Sequence, residues 1–356
     1  MIQFSKSSTM FAALIALVSL MGCLPTRSTQ SPDHSTEPTD RATTALPQTA
    51  ALPQVVVTTA VLCDLTRQIA QETVALTCLM PPDQDPHVYT PTPSDRKALE
   101  DANLVLYGGY QYEPGLIKII QASGTSVPKV AVYEAAVPTP LMGHEHEHEA
   151  GAAETEEHTE DHAEGEGAEV ADPHVWHDAK NGAQIVTVIQ ENLAKLVPTQ
   201  ASLYQTHATA LTEGLTQLDD WIKKQIATVP AANRKLVTTH EALGYYANAY
   251  GLQLEGTIEG VSTDEKPSAA RIGQLVDQLK VAQVPTIFVE NTTSAKQLET
   301  VAKEANVKIS EQPLFIEGPG GDSSPAPTYQ TMLVTNTCTI VEGLGGECDR
   351  TSAPVK

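Results

Sequence analysis

From residue 54 onward, short runs of Val, Ile, Leu and Thr alternate with stretches whose apolar positions recur every three or four residues, the marks of buried strands and amphipathic helices. Residues 55–59, 74–80, 104–107 and 130–133 read as strands, with helices at 64–72, 93–101 and 113–122 between them. A second series repeats the alternation: strands at 235–239, 252–257, 286–290 and 307–310 are separated by helices near 242–250, 268–282 and 293–305. Between the two series, residues 181–196 carry one helical pattern. Residues 200–229 carry a longer one, with Leu203, Ala210, Leu211, Leu215, Leu218, Trp221, Ile222 and Ile226 at helical intervals. Pro198 separates the two patterns and Pro230 ends the second. The implied class is α/β, with two lobes, each a small and mainly parallel sheet flanked by helices, joined by one long linker helix. The expected boundaries are 54–197 for the first lobe, 198–230 for the linker and 231–350 for the second lobe. Ligands of such sheets collect beyond the carboxyl ends of the strands, so the cleft between the lobes is the expected site.

The chain before the first strand has a different character. Lys6 is followed by an apolar stretch over residues 11–21, too short to span a bilayer as a mature helix, and it ends at Leu20-Met21-Gly22-Cys23. This resembles a bacterial lipoprotein box, which implies a signal over residues 1–23 and a lipid on Cys23. Residues 24–53 are rich in Ser, Thr and Pro without a hydrophobic pattern and read as a flexible tether, reaching on the order of 30 Å. The folded part is therefore expected outside the cytoplasm, in the periplasm, anchored to the inner membrane. The net charge of −22 points away from nucleic acid, and twelve acids with no Lys or Arg fall in residues 143–172 alone. Setting Cys23 aside, Cys63, Cys78, Cys338 and Cys348 form an even set for an oxidising compartment. Closeness in sequence favours Cys63–Cys78 and Cys338–Cys348, and no CxxC spacing supports thiolate metal binding.

Candidate chemistry centres on a repeated theme, Asp85-Pro86-His87-Val88-Tyr89 and Asp172-Pro173-His174-Val175-Trp176. Each proline fixes its own φ and holds the preceding aspartate extended, which aims the histidine from a stiff turn. His87 follows the strand ending at Met80, His240 follows the strand 235–239, and His174 precedes a helix, so all three can face one cleft. Three imidazoles suit a transition metal rather than Mg²⁺ or Ca²⁺. His240-Glu241 could open a zinc-protease HExxH helix, but Gly244 stands where the second histidine is required. His177 and His207 read as bystanders, and His34 falls in the tether.

With Thr239-His240-Glu241-Ala242-Leu243-Gly244-Tyr245-Tyr246 added, these motifs resemble those of the ZnuA-like periplasmic metal-binding subunits of zinc and manganese ABC importers, the cluster A-I solute-binding proteins. The likeness runs from Val55 to Gly346 and includes an acidic, His-rich insertion just before the second histidine. It implies a metal held between two lobes by His87, His174, His240 and a carboxylate near the C-terminus. Leu314-Phe315-Ile316-Glu317-Gly318-Pro319-Gly320-Gly321-Asp322 offers two, and register with the preceding hydrophobic pair favours Glu317 over Asp322. Water could complete the shell instead, and Glu290 is a further candidate, although its place at a strand end favours a cleft-lining or helix-capping role. Manganese-type members place Glu at the His240 position, so the third imidazole shifts the expectation from Mn²⁺ to Zn²⁺.

The resemblance implies a monomeric carrier, not an enzyme, that takes up a divalent metal and hands it to an ABC permease and its ATPase. A manganese-binding subunit is the alternative within the family. A zinc hydrolase with Glu241 as base, or a surface adhesin, is the alternative outside it. The insertion over residues 143–171 has no apolar periodicity and reads as a disordered loop. His144, His146, His148, His158 and His162 among its glutamates make it an accessory site for weakly held metal.

Overall fold

Alternate residues of the first apolar run face opposite sides of one sheet, and both sides are covered. The computed structural model of the chain describes residues 51–145, 168–264 and 267–355. In it β1 (Gln54–Val57) lies between β2 (Ala75–Cys78) and β3 (Leu104–Tyr107), with β4 (Lys129–Ala131) beyond β3, all parallel in the order β2-β1-β3-β4. Val55 and Val57 enter the large core with Leu62, Leu65 and Ile69 of α1 (Ala60–Ala70). Val56 faces the other way, onto Leu99 of α2 (Pro93–Asp101) and Leu116 and Ile120 of α3 (Pro114–Ala122). Burial on both faces is why the strands are uninterrupted β-branched and aliphatic runs. α2 begins where Thr92 and Asp95 form a reciprocal capping box with Pro93 in the first turn. The expected strand 130–133 is cut short, because Val132 and Tyr133 turn into the core as the start of α4 (Val132–Ala136).

The ends of the insertion depart from the expected disordered loop. Met142–Glu145 (β5) and Ala168–Ala171 (β6) pair in an antiparallel hairpin stem. The stem is ordered because the second lobe supplies partners: Val261 N–H donates to His144 O (3.1 Å) and Leu141 N–H to the Tyr245 hydroxyl (2.8 Å).

α5 (Ala179–Leu196) and α6 (Ala201–Ala227) pack together, separated by a tight turn over Pro198–Gln200. At 1.5 Å per residue α6 is about 40 Å long. It touches both lobes: Tyr204 Oη lies 2.7 Å from Thr73 Oγ1 near its start, and Trp221 Nε1 donates to Asp349 O (3.3 Å) near its end.

In the second lobe β7 (Lys235–Thr238) leads through α7 (Gly244–Tyr250) to β8 (Gln253–Thr257), its parallel partner. α8 (Ala269–Ala282) then leads to β9 (Thr286–Ile287), which α9 (Ala295–Ala305) joins to its parallel partner β10 (Lys308–Ile309). Phe288 N–H donates to Val237 O (2.9 Å), setting the second pair beside the first. Val237, Ile287, Leu275 and Leu298 form the lobe's own core. The sequence pattern misses α10 (Tyr329–Gly343), whose Thr- and Val-rich residues favour strand. It is buried on nearly every face, so packing overrides propensity and no amphipathic period marks it.

Cys63 is joined to Cys78 and Cys338 to Cys348. Among the described residues no helix is long and apolar enough to cross a membrane. Cys23, the expected signal and the tether up to residue 50 lie outside the described residues, as do His34, His146, His148, His158 and His162.

One buried acid gives the fold a pH dependence. Glu113 is fully buried, where it accepts hydrogen bonds from Thr58 Oγ1 (2.8 Å) and Gly108 N–H (2.7 Å). Burial nevertheless pushes its carboxyl up to about 7. With its pKa higher when folded than the ordinary 4.5 of an unfolded chain, the group favours folding at low pH, and this contribution is lost as pH rises through about 4.5 to 7. Glu113→Gln in metal-free protein should remove that decline, about 3 kcal/mol at 1.4 kcal/mol per pH unit. Denaturant melts at pH 4 and pH 8 check it: the variant should gain on the parent only at the higher pH.

Candidate metal centre

The two Asp-Pro-His turns are built alike. Asp85 Oδ1 accepts the His87 N–H (3.0 Å) and Asp172 Oδ1 accepts the His174 N–H (2.9 Å), so each aspartate closes the turn across its proline. In the second copy the same oxygen also takes His174 Nδ1 (2.8 Å). In the first, the free oxygen instead accepts Thr263 Oγ1 (2.5 Å) from the second lobe.

His240 follows β7, and Glu290 organises it. One Glu290 oxygen accepts the N–H groups of Thr239 (2.9 Å) and His240 (3.1 Å), and the other holds His240 Nδ1 (2.7 Å). Glu290 thus supports His240 through both of its oxygens. Glu317 lies on a segment clamped by Asn336 of α10, which bonds both N–H and C=O of Phe315 (2.8 and 2.7 Å). The next residue, Gly318, has φ 142° and leaves no room for a Cβ against Ala60, so only glycine lets the chain turn away there.

These turns bring His87, His174, His240 and Glu317 together, all buried, with one ligand-type atom from each within 4.8 Å of the others. His87 Nε2 is 3.3 Å from His174 Nε2, which is 3.4 Å from His240 Nε2, which is 3.2 Å from Glu317 Oε1. With Nδ1 of His174 donating to Asp172, its Nε2 presents a lone pair to the centre, and His240, whose Nδ1 is held by Glu290, does the same once its Nε2 proton is lost. The Tyr112 hydroxyl donates to Glu317 Oε2 (2.6 Å), a partner with no signal in the sequence. A pocket of about 320 Å³ between Tyr110, Val170, Val261 and Ser262 reaches His87 from outside.

Burial pushes His87 and His174 down to about 3, so both are neutral. Burial also works against the charged form of His240, but Glu290 and Glu317 outweigh it and hold His240 well above the ordinary histidine range. Burial opposes the Glu317 charge too, yet the His240 hydrogen bond and the surrounding imidazoles hold its carboxyl below the usual range.

The remaining candidates lie elsewhere. Asp322 is exposed and outside the cluster. His144 is exposed on β5, with Nδ1 3.7 Å from Glu241 Oε2. His177 is buried beside Trp176, and His207 on α6 bonds Ile69 O through Nδ1 (2.9 Å). Asp172 and Glu290 could have been anticipated as supports, one from its place two residues before a motif histidine, the other from its position at a strand end.

A family model, zinc-uptake complex component A, periplasmic, matches residues 55–343. The manganese-binding lipoprotein MntA of Bacillus subtilis is 30% identical over 344 residues, covering 95% of this chain and 99% of its own. The zinc-binding protein TroA of Treponema pallidum is 31% identical over 297 residues, covering 82% and 89%. The manganese ABC transporter substrate-binding lipoprotein PsaA of Streptococcus pneumoniae is 28% identical over 299 residues, covering 82% and 88%. The solved structure of the periplasmic zinc-binding protein TroA superposes with a TM-score of 0.72 at 30% identity, covering 83% of this chain and 99% of that one. The chain belongs to the zinc-uptake component A family of periplasmic metal-binding subunits of ABC importers.

Proposed function

We propose that this protein captures one Zn²⁺ ion through His87, His174, His240 and Glu317 and delivers it to an ABC permease for import. The single observation that carries this reading is the spacing of the four buried ligand atoms, 3.2 to 3.4 Å along the three edges given above. A tetrahedron of metal–ligand bonds about 2.0–2.1 Å long has edges of about 3.3–3.4 Å. Three imidazoles and one carboxylate favour zinc over manganese, which prefers more oxygen ligands. The names of MntA and PsaA support manganese as the second reading.

A hydrolase is the poorer fit. Glu241, its candidate base, accepts the His144 N–H (3.4 Å) at the hairpin stem, away from the imidazole nitrogens. Four protein ligands would also leave no open position for water. In the proposed arrangement the protein is a monomer whose lobes span 54–197 and 231–350 about the linker 198–230. A lipid on Cys23 and a tether over 24–53 hold it to the inner membrane, in keeping with relatives named as lipoproteins. The histidines of the insertion collect further zinc weakly, His144 at the stem and His146, His148, His158 and His162 beyond it.

Three measurements test this. After chelation, calorimetric titration of the parent should show one tight zinc equivalent, and His174→Ala should abolish it; undiminished tight binding would refute the ligand assignment. Glu290→Gln keeps the ligand set but weakens the support of His240, and zinc affinity should fall roughly 10–100-fold, a smaller loss than removing a ligand. Deleting residues 146–167 should lower the number of weak zinc equivalents and leave the tight one unchanged. An unchanged total would make the insertion inert toward metal.

A further inference from the structure

Glu317 has two oxygens, and only one is directed at the imidazole nitrogens. Oε1 lies 3.2 Å from His240 Nε2, while Oε2 accepts the Tyr112 hydroxyl at 2.6 Å, and the same hydroxyl lies 3.2 Å from Glu317 O. We propose that Tyr112 is a specificity-determining residue: it restricts Glu317 to one ligating oxygen and thereby selects a four-coordinate ion over one that needs a larger shell. This rests on the cleft being the metal site.

Three histidines and a one-oxygen carboxylate give four ligand atoms, the number zinc prefers. A carboxylate free to swing both oxygens inward would give five, and with a water six, the shell that suits manganese. The phenol therefore matters only if it cannot move when an ion arrives, and its surroundings hold it. Tyr112 is fully buried, with its ring edge-on to His87 (5.2 Å between centroids) and His174 (5.7 Å) and tilted against Trp176 (4.8 Å). The backbone that delivers it is just as constrained. Gly109, Tyr110 and Gln111 have φ of 96°, 51° and 57°, two of them side-chain-bearing residues in the left-handed region. Such strain persists only where neighbours over-determine it. Here Glu134 Oε1 accepts the Tyr110 N–H (2.8 Å) and Glu113 Oε1 accepts the Gly108 N–H (2.7 Å), so two acids grip the turn on either side of Gly109. A strained turn held by two carboxylates is a costly way to place an ordinary core tyrosine. It is a reasonable way to fix one hydroxyl against one oxygen.

The test uses the full protein loaded with cobalt, whose visible spectrum is intense when four-coordinate and weak when six-coordinate. The parent should give the intense spectrum. Tyr112→Phe should weaken it, and the ratio of zinc to manganese affinity should fall by about tenfold, chiefly through a gain in manganese binding. An unchanged spectrum and ratio in a folded variant would overturn the proposal. Were the variant not to fold, the parent still decides, because a six-coordinate cobalt spectrum in it is incompatible with a one-oxygen Glu317. His174→Ala separates the two readings: if it retains the cobalt spectrum, the site itself is misassigned and the role of Tyr112 falls with it. If it loses the spectrum while Tyr112→Phe changes nothing, only the present inference fails.

Discussion

A carboxylate cannot be buried among aromatic rings unless other groups answer its charge, and Glu317 is 4% exposed. The answer comes from both lobes. Tyr112 of the first donates to Oε2, and His240 of the second lies against Oε1. His240, kept charged by its neighbours, needs its own counter-charge, which Glu290 supplies while also fixing the backbone of Thr239 and His240. The line Tyr112–Glu317–His240–Glu290 is therefore one polar chain across the cleft, hydrogen-bonded at both ends and joined at its middle by the 3.2 Å approach of His240 Nε2 to Glu317 Oε1. Such a chain is worth more than its separate bonds, and losing any member strands a buried group.

His87 and His174 obey the opposite requirement. Both are neutral in the metal-free protein, because burial, aided by the neighbouring His240, makes the protonated form unfavourable. One site thus holds a histidine favoured in its charged form beside two held in their neutral form, and the difference lies in the placement of acids. Asp172 touches His174, but burial pushes Asp172 itself up to about 7, so it aims the ring without firmly charging it.

How much of this could be read from the chain depended on whether the determinant was local. The two Asp-Pro-His turns were legible because proline and the aspartate two residues before the histidine act within a single turn. The βα alternation was legible because the central strands β1, β3 and β7 are buried on both faces. The expectation of a carboxylate there came through family resemblance, and only register with the preceding hydrophobic pair separated Glu317 from Asp322. Tyr112 could not be named at all, because its bond to Glu317 joins residues 205 apart in sequence. α10 was missed because full burial erases periodicity; the Thr328–Thr331 capping box was its one local mark. The hairpin stem was missed because its partners, Val261 and Tyr245, belong to the other lobe.

The same distribution of contacts bears on how a carrier with so closed a site lets its cargo in and out. The main core is continuous across the lobes, linking Val57 and Trp176 on one side to Tyr246, Ile316 and Tyr329 on the other, with the Tyr329 hydroxyl donating to Trp176 O (2.5 Å). Swinging the lobes apart as rigid bodies would expose these side chains, at about 1.5–3 kcal/mol for each large apolar one. The outer contacts are of another kind. Thr263 to Asp85, Asn291 to Asp83 and Val261 to His144 are hydrogen bonds between loops and a hairpin stem. Each contributes roughly 1 kcal/mol and can be exchanged for water. His87, next to the external pocket and held by the Asp85 turn, is the imidazole of the cluster that such loosening frees first. The magnitudes thus favour exchange by local movement of the His87 loop over separation of the lobes.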